Sequence, residues 1–344
     1  MLHMANVAYG ECCIWRMLFS NVCQSVCATL GAFRSKETRR TAEGFFIRKG
    51  IRMFGKIIKG VAGSYNVVTG EGTVYLCKAR GLFRKNGITP LVGDNTEFEV
   101  TDEKSGEGNI IRILERKNEL IRPACANVDQ VLVVFAAADP EPNFNLLDRF
   151  LIMMKKQGVD SVICFNKKDI ADSDKLEAIA KNYEAGGFKV LYTSVLKGEG
   201  RESIEEVLKG KTTILAGPSG VGKSSMMNML SPDAGMEVGV LSEKIKRGKQ
   251  TTRHTELIAL DTDTFLCDSP GFSSIYLTDI EAKDLKNYFP EFGQYSDKCR
   301  FLTCSHISEP DCAVKEALSN GSISRMRYDN YCMLYNELKN RKQF

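Results

Sequence analysis

The chain has 344 residues, 43% apolar and 26% charged, which excludes a disordered or fibrous protein and leaves room for two or three domains. Its formal charge of +4 sits at the front: residues 1–52 carry 8 Lys+Arg against 3 Asp+Glu and the remainder 39 against 40, so bulk charge does not argue for an anionic partner of the body. No run approaches the ~18 apolar residues of a bilayer span, so no membrane partner is expected, and twelve scattered cysteines read as thiols of a cytoplasmic protein, not as a disulfide framework.

Residues 1–52 differ from the rest of the chain. Cys12, Cys13, Cys23 and Cys27 fall among Trp15, Met17, Phe19 and Val22, and a basic stretch then extends from Arg34 to Arg52. Ser20, Asn21, Gln24 and Ser25 interrupt the apolar run that a secretory signal needs. Many arginines and few acids are compatible with a transit peptide, and the four cysteines match no common metal-site spacing. The favoured reading is a non-conforming extension, disordered or the product of a mis-set start such as a translated upstream stretch, with Met53 as the functional start.

From Met53 the pattern alternates. Residues 56–68, 72–79, 95–101 and 109–114 are β-rich and separated by glycine-containing turns such as Thr69-Gly70-Glu71-Gly72. Five short strands in this stretch predict an OB-type barrel over 53–121. Such barrels commonly bind nucleic acid, and Lys78, Arg80, Arg84 and Lys85 lean the same way; a plain packing module fits the pattern too.

Beyond residue 122 the chain becomes α/β. Strand-like runs at 130–137, 161–165, 189–192, 212–216, 256–260 and 264–267 are interspersed with helical stretches at 146–157, 174–185, 204–208 and 223–230. This predicts a mostly parallel sheet with helices on both faces over 122–291. The last part, 292–344, holds a Cys/His cluster and a helix over 328–340. The expected fold is multidomain α/β: barrel, P-loop domain and zinc-binding helical domain.

Gly217-Pro218-Ser219-Gly220-Val221-Gly222-Lys223-Ser224 fits G-x-x-x-x-G-K-S between a predicted strand and a predicted helix. The glycines let backbone N–H groups turn inward around phosphate oxygens, and the helix start adds its positive end. Lys223 reaches the β- and γ-phosphates, Ser224 ligates Mg²⁺, and Ser225 follows in the same site. The motif by itself names a nucleoside triphosphate, not its base.

Asn166-Lys167-Lys168-Asp169, closing the 161–165 strand, fits N-K-x-D and reads guanine. Asp169 accepts from guanine N1–H and the 2-amino group, a donor pair that adenine lacks; a site built for such donors can reject their absence by ~10⁴-fold. Asn166 stabilises the loop and the Lys167 stem covers the base plane. Ser194, in Thr193-Ser194-Val195, lies where a backbone N–H meets guanine O6. Asp268-Ser269-Pro270-Gly271 fits D-x-x-G, with Asp268 on Mg²⁺ through water and the Gly271 N–H on the γ-phosphate. Thr251 and Thr252 lie where a switch loop puts a hydroxyl on Mg²⁺.

The order of these motifs is unusual, because Asn166 precedes Gly217 by 51 residues. An ordinary small GTPase begins with its phosphate loop, so this is a circular permutation, and it sets the switch loops directly before the C-terminal region. There Cys299, Cys304, His306 and Cys312 supply three thiolates and one imidazole within fourteen residues. That is the donor inventory of a closed structural zinc site.

This motif order, with a barrel before it and C-x4-C-x-H-x5-C after it, resembles the small ribosomal subunit biogenesis GTPase A family (RsgA) from about Met53 to the C-terminus. Arg122-Pro123-Ala124-Cys125-Ala126-Asn127-Val128-Asp129-Gln130 and Leu146-Leu147-Asp148-Arg149-Phe150 resemble it as well. The resemblance implies a late-acting factor on the bacterial 30S subunit, a monomer that binds rRNA through barrel and zinc domain. It also implies GTP/GDP binding with Mg²⁺ and a weak GTPase stimulated by the small subunit. Local patches then carry RNA binding: 78–85, 244–253, and Arg325, Arg327, Lys339, Arg341 and Lys342. One position departs from the family, where a His precedes the two switch threonines; here it is Gln250, and Phe272 follows Gly271. The expected catalytic set is Gln250, Thr251, Thr252 and Lys223, with Gln250 orienting the water and His254 or a ribosomal element as the alternatives. The rival function is an RNA-binding docking factor that uses GTP as an occupancy switch; Asp169 disfavours an ATP-dependent enzyme.

Overall fold

The structure, a computed structural model, describes residues 51–79, 81, 83, 87–121, 123–232, 255–268, 275–277 and 279–341. Strand β1 (Arg52–Val61) turns back at Ala62 and Gly63 into β2 (Ser64–Val68). The run 56–68, uniform in its alternation, is thus two strands. Ala62 (φ 49°) and Gly63 (φ 86°) both sit in the left-handed region that a two-residue hairpin turn demands. With β3 (Val74–Ala79), β4 (Asn95–Asp102) and β5 (Glu107–Ile113) they close a barrel in the order β1-β2-β3-β5-β4. Ile57, Val67, Cys77, Phe98 and Ile110 fill it, each fully buried.

A short hairpin, β6 (Glu119–Ile121) with β7 (Ala124–Ala126), joins barrel to sheet. Three-residue strands are too short to show a period, so the sequence does not announce them. Asn127 fixes the joint: its Oδ1 accepts from the Lys117 N–H (2.8 Å) and its Nδ2 donates to the Gly93 carbonyl (3.0 Å). Buried Asp94 is neutralised by Arg116, whose Nε lies 2.7 Å from Oδ1.

The central sheet has the order β10-β9-β8-β11-β13-β12, from β8 (Gln130–Ala136), β9 (Asp160–Asn166), β10 (Lys189–Tyr192), β11 (Thr212–Ala216), β12 (Leu257–Ala259) and β13 (Phe265–Asp268). Every pair is parallel except β12 with β13. β8 explains the continuous apolar runs. Val131, Val133 and Phe135 face the core under α1 (Phe144–Lys156) and α2 (Ser173–Glu184), while Leu132, Val134 and Ala136 face the core under α3 (Arg201–Leu208) and α4 (Lys223–Leu230). A strand covered on both sides has no polar face to alternate.

The C-terminal part contains α5 (Pro290–Ser296), α6 (Ala313–Ser319) and α7 (Arg325–Asn340). Its core begins ahead of residue 292, with Leu277, Ile280 and Leu285 joining Phe289, Phe292 and Tyr331. Arg327 corrects one expectation. The sequence reading puts it in an exposed RNA-facing patch, but it is 2% exposed. Its guanidinium pairs with Asp148 of α1 and, at 2.7 Å, with Glu291 of α5, under the rings of Tyr183 and Phe289. Helical periodicity marks the face of an arginine only weakly, because its long stem can be buried wherever carboxylates meet the head.

The barrel meets the sheet edge. Lys59 bridges Glu256 beside β12 in antiparallel fashion, and their side chains pair at 2.8 Å. Lys56 donates to the Thr212 hydroxyl (2.9 Å) and lies over the Phe265 ring.

Candidate functional site

The N-K-x-D, Thr-Ser and G-K-S elements, and Asp268, all lie at the carboxyl ends of parallel strands, where open α/β sheets bind ligands. Asn166 ends β9 and is buried. Its Nδ2 donates to the Val221 carbonyl in the phosphate loop (2.9 Å), and its Oδ1 accepts from the Thr193 hydroxyl (3.0 Å) and the Val195 N–H (3.1 Å). One amide therefore ties three strand ends that are far apart in sequence.

The phosphate loop follows β11. Gly217, at φ 149°, has its Cα so close to β8 that a Cβ would lie 2.0 Å from the Val134 oxygen. Gly222 sits at φ 96°, and a Cβ there would lie 2.4 Å from Asn166 Nδ2. Both positions require glycine. Ser219 and Gly220 form the exposed outer bend, Pro218 is half-buried, and Val221 is buried in the core. Lys223 opens α4, and its ammonium donates back to the carbonyls of Gly217 (2.9 Å) and Pro218 (2.8 Å). Burial lowers its pKa, with the Asp268 charge opposing. An anion between loop and ammonium relieves that penalty. Ser224 and Ser225 are half-buried in the first turn.

Lys167 adopts φ 62° and its ammonium donates to the Asp139 carbonyl. Lys168 pairs with Glu199 at 2.8 Å. The buried Ser194 hydroxyl donates to the Asp169 carboxyl and holds it below its ordinary value. The amides of Thr193, Ser194 and Val195 already donate to Phe165 O, Glu199 O and Asn166 Oδ1. Asp139 and Glu199 have no signal in the sequence, since neither belongs to a motif. Gln250, Thr251, Thr252, His254, Gly271 and Phe272 lie outside the described residues, as do Arg80, Arg84, Lys85 and Lys342.

The second site is the Cys/His cluster. Among the described residues Cys299, Cys304, His306 and Cys312 bring their donor atoms within 4.8 Å of one another. Cys299 Sγ is 3.9 Å from Cys312 Sγ, and His306 Nδ1 is 3.6 Å and 3.4 Å from those two sulfurs. Tetrahedral zinc with ordinary bond lengths needs about 3.8 Å between sulfurs and about 3.6 Å from sulfur to nitrogen. The donor set fits the ion. Ser296 Oγ donates to the Phe292 carbonyl (2.9 Å) and faces His306 Nε2 at 3.3 Å. That leaves Ser296 to accept from Nε2–H and turns the Nδ1 lone pair to the sulfurs. Burial lowers the His306 pKa to about 4 and raises that of Cys304 to about 12; a divalent cation reverses the second preference. Glu309 caps the loop, accepting from the Ser305 N–H (2.7 Å) and Ile307 N–H (3.1 Å), and Tyr328 donates to the His306 carbonyl (2.7 Å). Sequence reasoning misses Ser296, Glu309 and Tyr328, because common residue types outside a motif carry no signal.

Among the described residues no helix is long and apolar enough to cross a membrane, and all eight described cysteines are free. Comparison with known proteins agrees with the geometry. Residues 113–278 match the family described as RsgA GTPase, and residues 54–110 match the RsgA N-terminal domain. The small ribosomal subunit biogenesis GTPase RsgA of Agathobacter rectalis is 55% identical over 302 residues, covering 85% of this chain and all of that protein. Its namesake from Alkaliphilus metalliredigens is 47% identical, covering 84% and 99%. The crystal structure of YjeQ from Thermotoga maritima aligns with a TM-score of 0.72 at 37% identity, covering 85% of this chain and all of that one. YloQ, described as a circularly permuted GTPase, aligns at 0.71 and 37%, covering 89% and 100%. The chain thus belongs to the RsgA family of circularly permuted GTPases.

Proposed function

We propose that this GTPase acts in late maturation of the small ribosomal subunit, binding the 30S particle and its rRNA and hydrolysing GTP faster when bound. The observation that carries the nucleotide half is Asn166, which joins the guanine element, the phosphate loop and the third strand end through three hydrogen bonds. The names of the matched relatives support the ribosomal half.

In this reading Asp169 reads the base, supported by Ser194, with Asn166, Lys167 and Lys168 shaping its pocket. Residues 217–222 cradle the phosphates, Lys223 neutralises them, and Ser225 follows Ser224 in the first turn. Mg²⁺ is held by Ser224, Thr251, Thr252 and, through water, Asp268; Gly271 contacts the γ-phosphate. Zinc is the ion of the Cys299, Cys304, His306 and Cys312 cluster. The division into a barrel (53–121), a GTPase domain (122–291) and a zinc domain (292–344) belongs to the same reading, as do a monomeric state and a cytoplasmic location.

Gln250 is the residue assigned to orient the attacking water. A Gln250→Ala variant loses subunit-stimulated turnover while keeping GTP affinity; full stimulated turnover removes Gln250 from that role. The proposal as a whole is tested by GTP hydrolysis with and without purified 30S subunits. Acceleration is expected, and its absence overturns the ribosomal assignment. If Lys223→Ala abolishes nucleotide binding yet leaves 30S association and maturation intact, the docking-factor reading replaces this one.

A further inference from the structure

The Leu146–Phe150 stretch of α1 stands outside the nucleotide site, yet two consecutive residues in it reach the C-terminal helix. Asp148 points one way, to Arg327 and to Asn330 Nδ2 (2.7 Å), both near the start of α7. Arg149 points the other way and uses four of the five N–H donors of its guanidinium. Its Nε donates to Asn145 Oδ1 (2.8 Å), one terminal nitrogen to Glu337 Oε1 (2.9 Å) and the Ile275 carbonyl (3.3 Å), and the other to Glu337 Oε2.

Ile275 follows the D-x-x-G motif by only a few residues. It is buried in the sheet core, whereas Leu277 and Ile280 are buried in the C-terminal core. The backbone passes from one core to the other here, and its described residues pair in no sheet. Its carbonyls are taken by cations instead: Ile275 O by Arg149, Leu277 O by Arg341 (3.0 Å) and Asp279 O by Lys156 (2.7 Å). Of these three, Arg149 reaches α7 through the Glu337 side chain, while Arg341 is itself the residue that ends α7.

The two grips on α7 differ in kind. Arg327 is enclosed between Asp148 and Glu291 and buried. Glu337 is ten residues further on, about 15 Å along a helix, and 42% of its side chain is exposed. The helix is therefore pinned at one end and held at the other by a group that also holds the chain leaving the Asp268 strand.

We propose that Arg149 is a positioning residue that couples the nucleotide state sensed at Asp268 to helix α7. The coupling rests on the GTP reading of the nucleotide site. A shift of the chain after Asp268 changes the position of the Ile275 carbonyl. Arg149 cannot keep that bond and both bonds to Glu337 in two positions of the chain, because its fork is planar and fixed. The Glu337 end of α7 accordingly differs between the GTP and GDP states, while its Arg327 end does not.

Amide hydrogen exchange on the full chain, saturated with GDP or with a non-hydrolysable GTP analogue, tests this. Nucleotide affinities are measured first; a wild type that binds neither overturns the GTP reading and this inference with it. In a wild type that binds both, amides of 333–340 differ in protection between the two states by at least about fivefold, the lower end of ordinary coupling. Arg149→Gln removes most of that difference and leaves both affinities close to wild type. Glu337→Gln, at a more exposed position, does the same more weakly and carries the test if the first variant does not fold. General loosening of the helix would raise exchange in both states and leave their ratio unchanged. No difference in a wild type that binds both nucleotides, or an undiminished ratio in the folded variants, overturns the role of Arg149.

Discussion

Asp169 and Ser296 show how much a single side chain can reveal before and after folding. The type and place of Asp169 in N-K-x-D announce it in the sequence, and the fold adds the Ser194 hydroxyl that donates to it. Asp169→Asn puts a donor where guanine offers only donors. GTP affinity falls by up to ~10⁴-fold, while xanthosine triphosphate, whose O2 accepts, binds better than GTP; competition against a fluorescent nucleotide measures both. Ser296 carries no such signal. It lies three residues ahead of Cys299 with no motif around it, and only the fold brings its hydroxyl to His306 Nε2. Because it fixes the ring with Nδ1 toward the sulfurs, Ser296→Ala weakens zinc by ~10-fold, the lower range for a support of this kind. Competition with a chromophoric chelator reads that loss, and an unchanged affinity would show that the ring does not depend on Ser296.

Among the elements, those with a period or a motif are legible and those without are not. β8, β9 and β11 stand out as apolar runs because both faces are covered, and α4 because glycines precede it and a lysine opens it. The β6–β7 hairpin, α5 and α6 are three to seven residues long, too short for periodicity to separate them from loop. Helix α7 is foreseeable, but its inward face is not, and Arg327 reads as a surface cation. Its true setting gives the opposite expectation for mutation. Arg327→Met leaves Asp148 and Glu291 buried without a counter-ion, which costs ~3–5 kcal/mol. Replacing all three with apolar residues of similar size costs far less. Urea unfolding of both variants, with zinc present, distinguishes this from an RNA-contact role, for which stability would be untouched.

The molecule as a whole is readable in its order of parts, because barrel, permuted motifs and cluster each carry their own pattern. The contacts between parts are not, since nothing in the sequence pairs Lys59 with Glu256 or Lys56 with Thr212. A prediction at this scale concerns Met53. Beginning the chain there removes, from the described barrel, Arg52 with its exposed pair to Glu97 and one partner of Glu99. Exposed pairs contribute ~0–1 kcal/mol, so the shortened protein keeps its thermal midpoint within a few degrees and its GTP turnover. A large loss of either would show that residues before 53 support the fold.

The permutation also decides how the molecule bears load. The chain enters the sheet from the barrel at the first residue of β8 and leaves for the C-terminal helices at the last residue of β13, and these strands flank β11 on its two sides. All three are parallel, so a pull between barrel and C-terminal helices draws β8 and β13 in opposite directions along their own axes. The hydrogen bonds of both ladders are then strained together, in shear, instead of opening one after another. The strand between them is the one that leads into the phosphate loop, so the nucleotide pocket lies on the line of greatest mechanical resistance.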